Sequence, residues 1–445
     1  MSNARVSRGN GSAFTAVWTL PGPHSSLGKM LRNFYKGELG MSEAILGGIK
    51  VVELATFIAG PAAGVILADF GADVIKIEPP HRPDPYRGVH LRGSDTPKSE
   101  YPYGYIVDNR NKKGIALDIK TTEGREVFDR LIDQADVFIT NMPIPTRERL
   151  NISYETLCAQ NPSLVYASIS AYGETGPEAE RPGFDTTALW ARTGLMDLVK
   201  PAPESPPARS LPGMGDHPTA MSLYAAVMTG LFQRERTGEG SHVSTSLMAN
   251  GVWWNGVLTQ AALCGAQVTC RPPREAAGNP VHNLYQTRDG RWIHIVFNTN
   301  LHRWPELVAL LGRPDIADDA RFDTQDARIE NSAELIVILE SAFAARDYDE
   351  WVQLLEENRF IFGDVRKIDQ ILNDPQMVEG RALRPIDDPA AGANYIVDSP
   401  IWVEGSPKTE PTMPPELGQH TEEVLRGIGY DDAALARLRA ADAIL

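Results

Sequence analysis

Short apolar segments alternate with segments of helical periodicity along the first half of the chain. Residues 49–54 and 72–78 are compact apolar runs that predict buried strands, and the apolar spacing over 59–70 predicts a helix between them that Gly71 ends. Strand, helix and strand within about 30 residues indicate a βαβ unit, whose strands run parallel. The loop after the first strand lacks the spaced glycines of a dinucleotide fingerprint, so the pattern predicts a Rossmann-like sheet that does not bind NAD.

The alternation continues along the chain and predicts an α/β fold. Further strands are predicted over 114–119, 137–140, 164–169 and 241–247, with helices over 122–134 and 153–160. Two strand patterns around Asp289-Gly290 predict a hairpin over 284–296. Helices are also predicted over 252–264, 304–311, 332–345 and 348–357, and two short helices are predicted over 421–445.

The strongest candidate for chemistry is the start of a long helix. Gly213 and Gly215 lead into Asp216, apolar residues then recur at helical spacing, and residues 237–240 end the helix. In one interpretation Asp216 is an N-cap that accepts hydrogen bonds from free amides. In the other it is a nucleophile, because the positive end of the helix keeps the carboxylate ionised, and an accessible carboxylate can attack a thioester. The local sequence does not separate the two.

Composition places the chain among globular proteins. It has 445 residues, enough for two domains, with 42% hydrophobic and 23% charged residues. The net charge of -15 opposes a nucleic-acid surface, and no apolar run is long enough to cross a bilayer, so we expect neither nucleic acid nor membrane as a partner. Cys158, Cys264 and Cys270 form no metal spacing and no disulfide framework. We therefore expect no metal site and a reducing, cytoplasmic location.

Residues 1–47 are interpreted as an N-terminal extension. The segment is rich in Ser, Gly, Asn and Arg and has no acidic residue before Glu38. Three explanations are open: an organellar targeting peptide, a disordered arm, or a start site assigned upstream of a true start at Met41. We favour the last two.

An ordered set of segments resembles the class III CoA-transferase family, which includes the formyl-CoA:oxalate and carnitine CoA-transferases. The segments are 49–54 with Ala59-Gly60-Pro61, 69–78, 109–120, 135–141, 161–173, Gly215-Asp216, 237–240 and 418–425. The resemblance covers nearly everything from residue 48 to the end. It implies a large Rossmann-like domain (48–240), a smaller α+β domain with its linkers (241–370), and a return to the large domain (371–445). It also implies an interlocked homodimer, in which two chains pass through each other.

The resemblance gives Asp216 the role of nucleophile, since the family nucleophile is an Asp that follows Gly just before a helix. In the family mechanism this aspartate attacks an acyl-CoA donor and gives a mixed anhydride. The CoA thiolate converts the anhydride into an aspartyl-CoA thioester, and an acceptor carboxylate then reverses the steps. The implied substrates are acyl-CoA, with its coenzyme A, and a carboxylic acid. No permanently bound cofactor is implied.

The resemblance also marks nine residues for contact with CoA or its acyl group. They are Ile58 and Ala59 in the first loop, Leu117 and Lys120 near the adenosine, Asn141 near the pantetheine, Arg149 at the CoA, Phe184 and Asp185 in the site wall, and Gly278 in a small-domain loop. For Arg149 an exposed charge at a helix edge, and for Asp185 a cap or turn, are the alternative interpretations.

The chain departs from one branch of the family at several positions. That branch has Gln at the position of Ile58, a run of glycines where this chain has 275–278, and basic residues where it has Pro79 and Pro182. Its oxyanion-stabilising and nucleotide-binding side chains therefore do not carry over, and backbone amides are the remaining candidates to stabilise an oxyanion.

Two other functions stay open as alternatives. An α-methylacyl-CoA racemase resembles this chain, but Phe184 stands where that enzyme has a proton-carrying His. The second alternative is a CoA-binding dimer without turnover. Among transferases, the branch acting on 2-hydroxy acids and aryl acids such as phenyllactate is the most similar. Trp190, Trp253 and Trp254 are candidates either for an apolar acyl pocket or for ordinary core.

Overall fold

A computed structural model describes residues 44–92, 96–297 and 301–445. Residues 1–43 of the predicted N-terminal extension lie outside the described residues. The fold begins immediately afterwards, where the N–H of Leu46 donates to the carbonyl oxygen of Phe70 at 3.0 Å.

A six-stranded parallel sheet forms the centre of the large unit. Its strands are β1 (Lys50–Leu54), β2 (Asp73–Glu78), β3 (Lys113–Ala116), β4 (Val137–Thr140), β5 (Val165–Ser170) and β6 (Ser241–Ser246). They are arranged in the order β3-β2-β1-β4-β5-β6, and all neighbours are parallel. This is the strand order of a doubly wound Rossmann-like sheet, so the predicted α/β class and the first βαβ unit are confirmed.

Eighteen α-helices accompany the strands in the described residues. The first ten are α1 (Ala59–Asp69), α2 (Val89–Arg92), α3 (Tyr103–Asn109), α4 (Thr122–Ile132), α5 (Ile144–Arg149), α6 (Tyr154–Gln160), α7 (Leu195–Leu198), α8 (Asp216–Thr237), α9 (Leu247–Trp254) and α10 (Gly256–Leu263). The others are α11 (Trp304–Leu310), α12 (Gln325–Glu330), α13 (Ser332–Phe343), α14 (Tyr348–Glu357), α15 (Ile368–Ile371), α16 (Pro375–Glu379), α17 (Thr421–Gly427) and α18 (Asp432–Ala440).

Each face of the parallel sheet is covered by its own apolar cluster. On one face Val52 and Phe138 pack with residues of α4, α17 and α18. On the other face Val51 and Ile139 pack with residues of α1 and α8. Because successive side chains of a strand point to opposite faces, alternate positions of β1 and β4 belong to different clusters.

A second, smaller unit has an antiparallel sheet. It consists of β7 (His282–Gln286), β8 (Trp292–Val296) and β9 (Phe362–Val365), in that spatial order. The predicted hairpin is confirmed as the β7–β8 pair. Helices α11, α13 and α14 cover this sheet and share a separate core that runs from Val281 to Leu355.

The chain then returns to the large unit through a third pair, β10 (Leu383–Pro385) and β11 (Tyr395–Val397). The N–H of Thr409 donates to the carbonyl oxygen of Asp69 at 2.8 Å, and the N–H of His420 donates to that of Gly114 at 2.9 Å. Helices α17 and α18 then complete the first of the two sheet-facing clusters.

Three local expectations differ from the structure. Strand β6 pairs with β5, so the large sheet extends past the boundary expected at residue 240. Strand β3 ends at Ala116 rather than 119, because the chain leaves the sheet there and the N–H of Asp118 donates to the carbonyl oxygen of Ala443. The helix predicted over 252–264 is two helices separated by Asn255, whose Nδ2 donates to the carbonyl oxygen of Thr193 at 2.8 Å.

Candidate active site

The candidate site lies where the direction of the sheet's connections reverses, between β1 and β4. Strands β2 and β3 follow on one side and β5 and β6 on the other, and such a switch point leaves a crevice at the carboxyl ends of the strands. The loop after β1 and Asn141 after β4 meet in this crevice. Oδ1 of Asn141 accepts from the N–H of Thr56 at 3.0 Å, and its Nδ2 donates to the carbonyl oxygen of Thr56 at 2.6 Å. Asn141, predicted near the pantetheine, therefore fixes the first loop by both ends of its amide.

The first loop has an unusual backbone at Phe57. Its φ of +62° lies in the left-handed region, which a non-glycine residue adopts only when its surroundings hold it there. The N–H of Phe57 donates to Oδ1 of Asp84 at 3.1 Å. Ile58 and Ala59 follow at the start of α1, and both are buried. Neither offers a polar side chain, so only their backbone amides are available for chemistry.

A buried cluster of three charged residues, Glu53, Lys76 and Lys112, stabilises the first loop. Glu53 accepts from Nζ of Lys76 at 3.2 Å and from Nζ of Lys112 at 2.8 Å, and all three side chains are fully buried. Lys76 also donates to the carbonyl oxygen of Ala55 at 2.8 Å, and Lys112 to that of Pro61 at 2.8 Å. The cluster thus holds the segments on both sides of the first loop, which makes the loop a pre-organised part of the site.

Asp216 is the first residue of α8 and is only partly exposed. Gly215 occupies the N-cap position, and no side chain caps this end of the helix, so the N-cap interpretation of Asp216 is wrong. A Cβ at Gly215 would lie 2.8 Å from Cβ of Asp185 and 3.0 Å from Cδ1 of Leu189. The residue before Asp216 must therefore be glycine for this close approach.

The charge state of Asp216 also differs from the expectation. Burial, the carboxylate of Asp185 and that of Asp108 raise the pKa of Asp216 to about 7, against the opposing effect of His217. The helix N-terminus was expected to keep this carboxylate ionised, but burial near other carboxylates is the stronger influence. The result is a carboxyl group that titrates near neutral pH, as nucleophilic and acid–base residues of active sites commonly do.

Asp185 lies beside Gly215 and Asp216, whereas Phe184 lies against the first loop. Asp185 begins a π-helix (Asp185–Ala191), and its Oδ2 accepts from the N–H of Gly215 at 3.1 Å. The side chain of Phe184 is 59% exposed, and its ring meets that of Phe57 edge-on at a centroid distance of 5.6 Å. An aromatic contact therefore joins the first loop, at Phe57, to the start of the π-helix, at Phe184.

The other predicted contact residues are spread more widely. Lys120 and Arg149 are exposed, and Arg149 makes a hydrogen bond of 3.3 Å to Thr146 of its own helix. The side chain of Leu117 is buried in the sheet-facing core, so only its backbone can face a ligand. Gly278 is exposed, and a Cβ there would meet nothing within 4 Å, so Gly278 itself is not packed against another part of this single chain.

Asp108 and His217 lie at the site, although no role was predicted for either of them from the sequence. Nε2 of His217 lies 2.9 Å from Oδ1 of the fully buried Asp108. Burial raises the pKa of Asp108, and the hydrogen bond and charge of Asp108 raise the pKa of His217 despite its own desolvation. The only sequence signal was the position of His217 directly after Asp216. Nothing local connects it with a residue so far upstream.

The tryptophan predictions are confirmed only in part: Trp190 packs against a buried cluster, as its core alternative predicts. Trp253 is 82% exposed, so in this chain it belongs neither to the core nor to a pocket. The tryptophan that lines a cavity beside His217 is instead Trp402, from the segment after β11. Trp402 reaches this cavity because the chain returns to the large unit after the small one. The hydrophobic periodicity of the sequence does not predict that return.

No group of three or more metal-binding side chains occurs among the residues that the structure describes. Across the same residues, the longest helices are too short or too polar to cross a membrane.

Comparison with known proteins adds an independent finding. The sequence profile of CoA-transferase family III matches residues 46–421. The chain is 32% identical to the (R)-2-hydroxy-4-methylpentanoate CoA-transferase of Clostridioides difficile, over 87% of this chain and 96% of that protein. It is 31% identical to the cinnamoyl-CoA:phenyllactate CoA-transferase of Clostridium sporogenes, over 88% and 96%. A crystal structure of a CAIB/BAIF family protein from Brucella suis superposes with a TM-score of 0.75 at 29% identity, over 87% of this chain and 100% of that one.

Proposed function

This chain belongs to CoA-transferase family III and is a CoA-transferase, and we propose that it transfers CoA through an aspartyl-CoA thioester on Asp216. The observation that carries the proposal is the position of Asp216. Its carboxyl group lies at the head of α8, near the carboxylates of Asp185 and Asp108, and its pKa is about 7. At neutral pH a large fraction of it is therefore ionised, in surroundings that exclude much of the water.

The proposed reaction has two symmetrical halves. The carboxylate of Asp216 attacks the thioester carbon of an acyl-CoA, the C–S bond breaks, and a mixed anhydride and CoA thiolate form. The thiolate attacks the aspartyl carbon of the anhydride, which releases the donor acid as a carboxylate and leaves the aspartyl-CoA thioester. An acceptor carboxylate attacks this thioester, and the released thiolate then attacks the acceptor's acyl carbon. Asp216 is regenerated, and the reaction consumes no ATP because one thioester is exchanged for another.

Each attack creates an oxyanion, for which the first loop supplies candidate donors. The amides of Ala59 and Gly60, in the first turn of α1, have no carbonyl partner within their own helix. Together with the partial positive charge of the helix end, they are the donors that we propose in place of side chains. The clamps on Thr56 and Phe57 fix their direction before substrate binds.

The proposed donor and acceptor are carboxylic acids with apolar or aryl side chains, including 2-hydroxy acids. The named substrates of the two relatives support this class, since both enzymes act on acids with a branched or aryl side chain. The apolar cavity beside His217 supports it as well.

We also propose that the active protein is an interlocked homodimer. Helices α9 and α10 expose large apolar side chains that a water-exposed surface rarely carries together, among them Trp253 (82% exposed), Val257 (85%) and Leu263 (76%). The open loop at Gly278 is then free to lie over the Asp216 of a second chain. Light scattering after size exclusion should give the mass of two chains, and a monomer at micromolar concentration would contradict the assembly.

The proposed location is the cytoplasm. Cys158, Cys264 and Cys270 are all free thiols, which supports a reducing compartment. Fractionation of the native cells tests this, and recovery in an oxidising compartment would contradict it.

The covalent step is tested by mass spectrometry. Purified protein is mixed with a panel of acyl-CoAs and quenched, and the peptide containing Asp216 should gain one CoA through a hydroxylamine-labile bond. The Asp216→Ala variant should gain none, whereas Asp349→Ala, on an exposed helix of the small unit, should behave as the original protein.

The same samples separate the alternatives. Exchange of the acyl-CoA α-proton in D2O without an adduct would support a racemase-like reaction. Binding of acyl-CoA with neither adduct nor exchange would leave a non-catalytic dimer.

A further inference from the structure

A cavity of about 470 Å³ lies between α1, α3, the start of α8 and the segment after β11. Its volume is in the range of small-molecule sites. Much of its wall is apolar, formed by residues such as Val65, Ile66, Met221 and Trp402. His217 and Pro218, which follow Asp216 in the chain, line it as well, so the cavity lies beside the start of the helix that carries the proposed nucleophile.

The charged residues of the cavity are nearly all paired. Arg110 donates to both carboxylate oxygens of Asp69, at 3.1 and 2.7 Å, and to the carbonyl oxygen of Val107 at 2.7 Å. Asp398 is paired with Lys408 at 2.9 Å. These groups satisfy one another, so Arg110 is not available to bind a ligand carboxylate.

Asp108 is the exception. Its Oδ1 lies against His217, but its buried Oδ2 has no hydrogen-bond partner among the described residues. The Oδ2 oxygen of Asp108 repels a second carboxylate, and the burial of that second carboxylate beside it is costly. An uncharged, branched or aromatic group meets no such penalty and buries apolar surface instead.

We propose that this cavity receives the side chain of the acyl group, and that Asp108 makes it reject acyl groups that carry a second carboxylate. The proposal rests on the proposed function, because it assumes that the acyl carbon lies at Asp216. It makes Asp108 a specificity-determining residue. Acyl groups with neutral apolar side chains are then substrates, and dicarboxylic acyl groups are excluded.

Two acyl-CoAs of equal shape provide the test. The ends of the 4-methylpentanoyl and succinyl groups are isosteric, one an isopropyl group and the other a carboxylate. Their affinities are measured by calorimetry on the Asp216→Ala protein, which cannot react, at about pH 8, where carboxylates are ionised. We expect 4-methylpentanoyl-CoA to bind at least about tenfold more tightly than succinyl-CoA, and also more tightly than acetyl-CoA.

Variants in the same background locate the effect. Asp108→Asn should narrow the gap between the two isosteric ligands by strengthening succinyl-CoA binding. Met221→Trp fills the cavity and should reduce 4-methylpentanoyl-CoA to the affinity of acetyl-CoA. Ala382→Trp, at an exposed position of the cavity rim, should also reduce the affinity for 4-methylpentanoyl-CoA to that for acetyl-CoA. It should do so without disturbing the packing of the core.

The outcomes separate this proposal from the covalent mechanism. Equal affinities for the two isosteric acyl-CoAs, or wild-type selectivity in both tryptophan variants, would overturn the acyl cavity even if the CoA adduct forms on Asp216. Selective binding that Asp108→Asn and the tryptophan variants remove would uphold the cavity even if no adduct were found.

Discussion

Oδ2 of Asp185 accepts a hydrogen bond from the N–H of Gly215 at 3.1 Å, so a second carboxylate fixes the residue directly before Asp216. After burial, Asp185 is also the largest cause that raises the pKa of Asp216. One side chain therefore sets both the position and the charge of the proposed nucleophile.

The first prediction concerns the pH dependence of the reaction. Asp185→Asn keeps an oxygen for the amide of Gly215 but removes the negative charge, so the pKa of Asp216 should fall below about 7. The rate of adduct formation, which needs ionised Asp216, should then reach half its maximum at lower pH than in the original protein. Quenched-flow mass spectrometry across pH measures this. Asp315→Asn, an exposed change in the small unit, should leave the midpoint unchanged, and an upward shift in Asp185→Asn would contradict the assignment.

A second prediction concerns stability. Because the folded-state pKa of Asp216 lies above its ordinary value of 3.8, the folded protein binds this proton more tightly than the unfolded chain does. The free energy of unfolding therefore decreases as pH rises from about 4 to about 7 and is level above that range. Asp216→Asn removes this loss. It should raise the unfolding free energy by roughly 2–4 kcal/mol at neutral to alkaline pH and by almost nothing near pH 4.

Denaturant titrations at several pH values check the second prediction. An equal gain at every pH would mean that the amide stabilises the fold by some other route.

The third prediction concerns the glycine before the nucleophile. Gly215→Ala places a methyl group 2.8 Å from Cβ of Asp185, so the π-helix and α8 must move apart. We expect a loss of about 1–3 kcal/mol in stability and a larger relative loss of adduct formation, since Asp216 is displaced. Gly427→Ala is the matched control, because a Cβ there meets nothing within 4 Å. Normal adduct formation in Gly215→Ala would show that the close packing does not position Asp216.

The fourth prediction concerns the clamp on the first loop. Asn141→Ala removes both hydrogen bonds to Thr56 and should cost about 1–3 kcal/mol, measured by urea unfolding. Asn141→Asp keeps the acceptor but sets a carboxylate oxygen against the carbonyl oxygen of Thr56, so it should not restore stability. If Asn141→Asp were as stable as the original protein, the donated bond would be unimportant.

The sequence predicted the sheet well because its signals are local. Strands β1 to β5 are largely buried and read as short, mainly apolar runs, whereas the edge strand β6 is half-exposed and alternates. Gly71 and residues 237–240 end helices by their own backbone preferences. The break at Asn255 was missed because its cause is a bond to Thr193, far away in the sequence.

Without the family resemblance, the candidate site was predicted only where the residues are adjacent in sequence. The glycines before Asp216 identified the nucleophile candidate, and Asp185 was placed by resemblance. The pairing of His217 with Asp108 and the arrival of Trp402 at the cavity depend on how distant segments meet in three dimensions. The pKa of Asp216 was misjudged for the same reason, since burial and distant carboxylates outweigh the local effect of the helix end.

The return of the chain to the large unit has a consequence during synthesis. Val424, Leu425, Leu435 and Leu438 belong to the cluster that covers one face of β1 and β4. The ribosome needs about 10 to 35 s to travel from β6 to α17 at ordinary elongation rates. Throughout that interval one apolar face of the nascent sheet is covered only in part, by α4, so the large unit can finish folding only when translation is nearly complete. Chaperones that bind emerging chains should therefore associate with this protein until its last two helices appear.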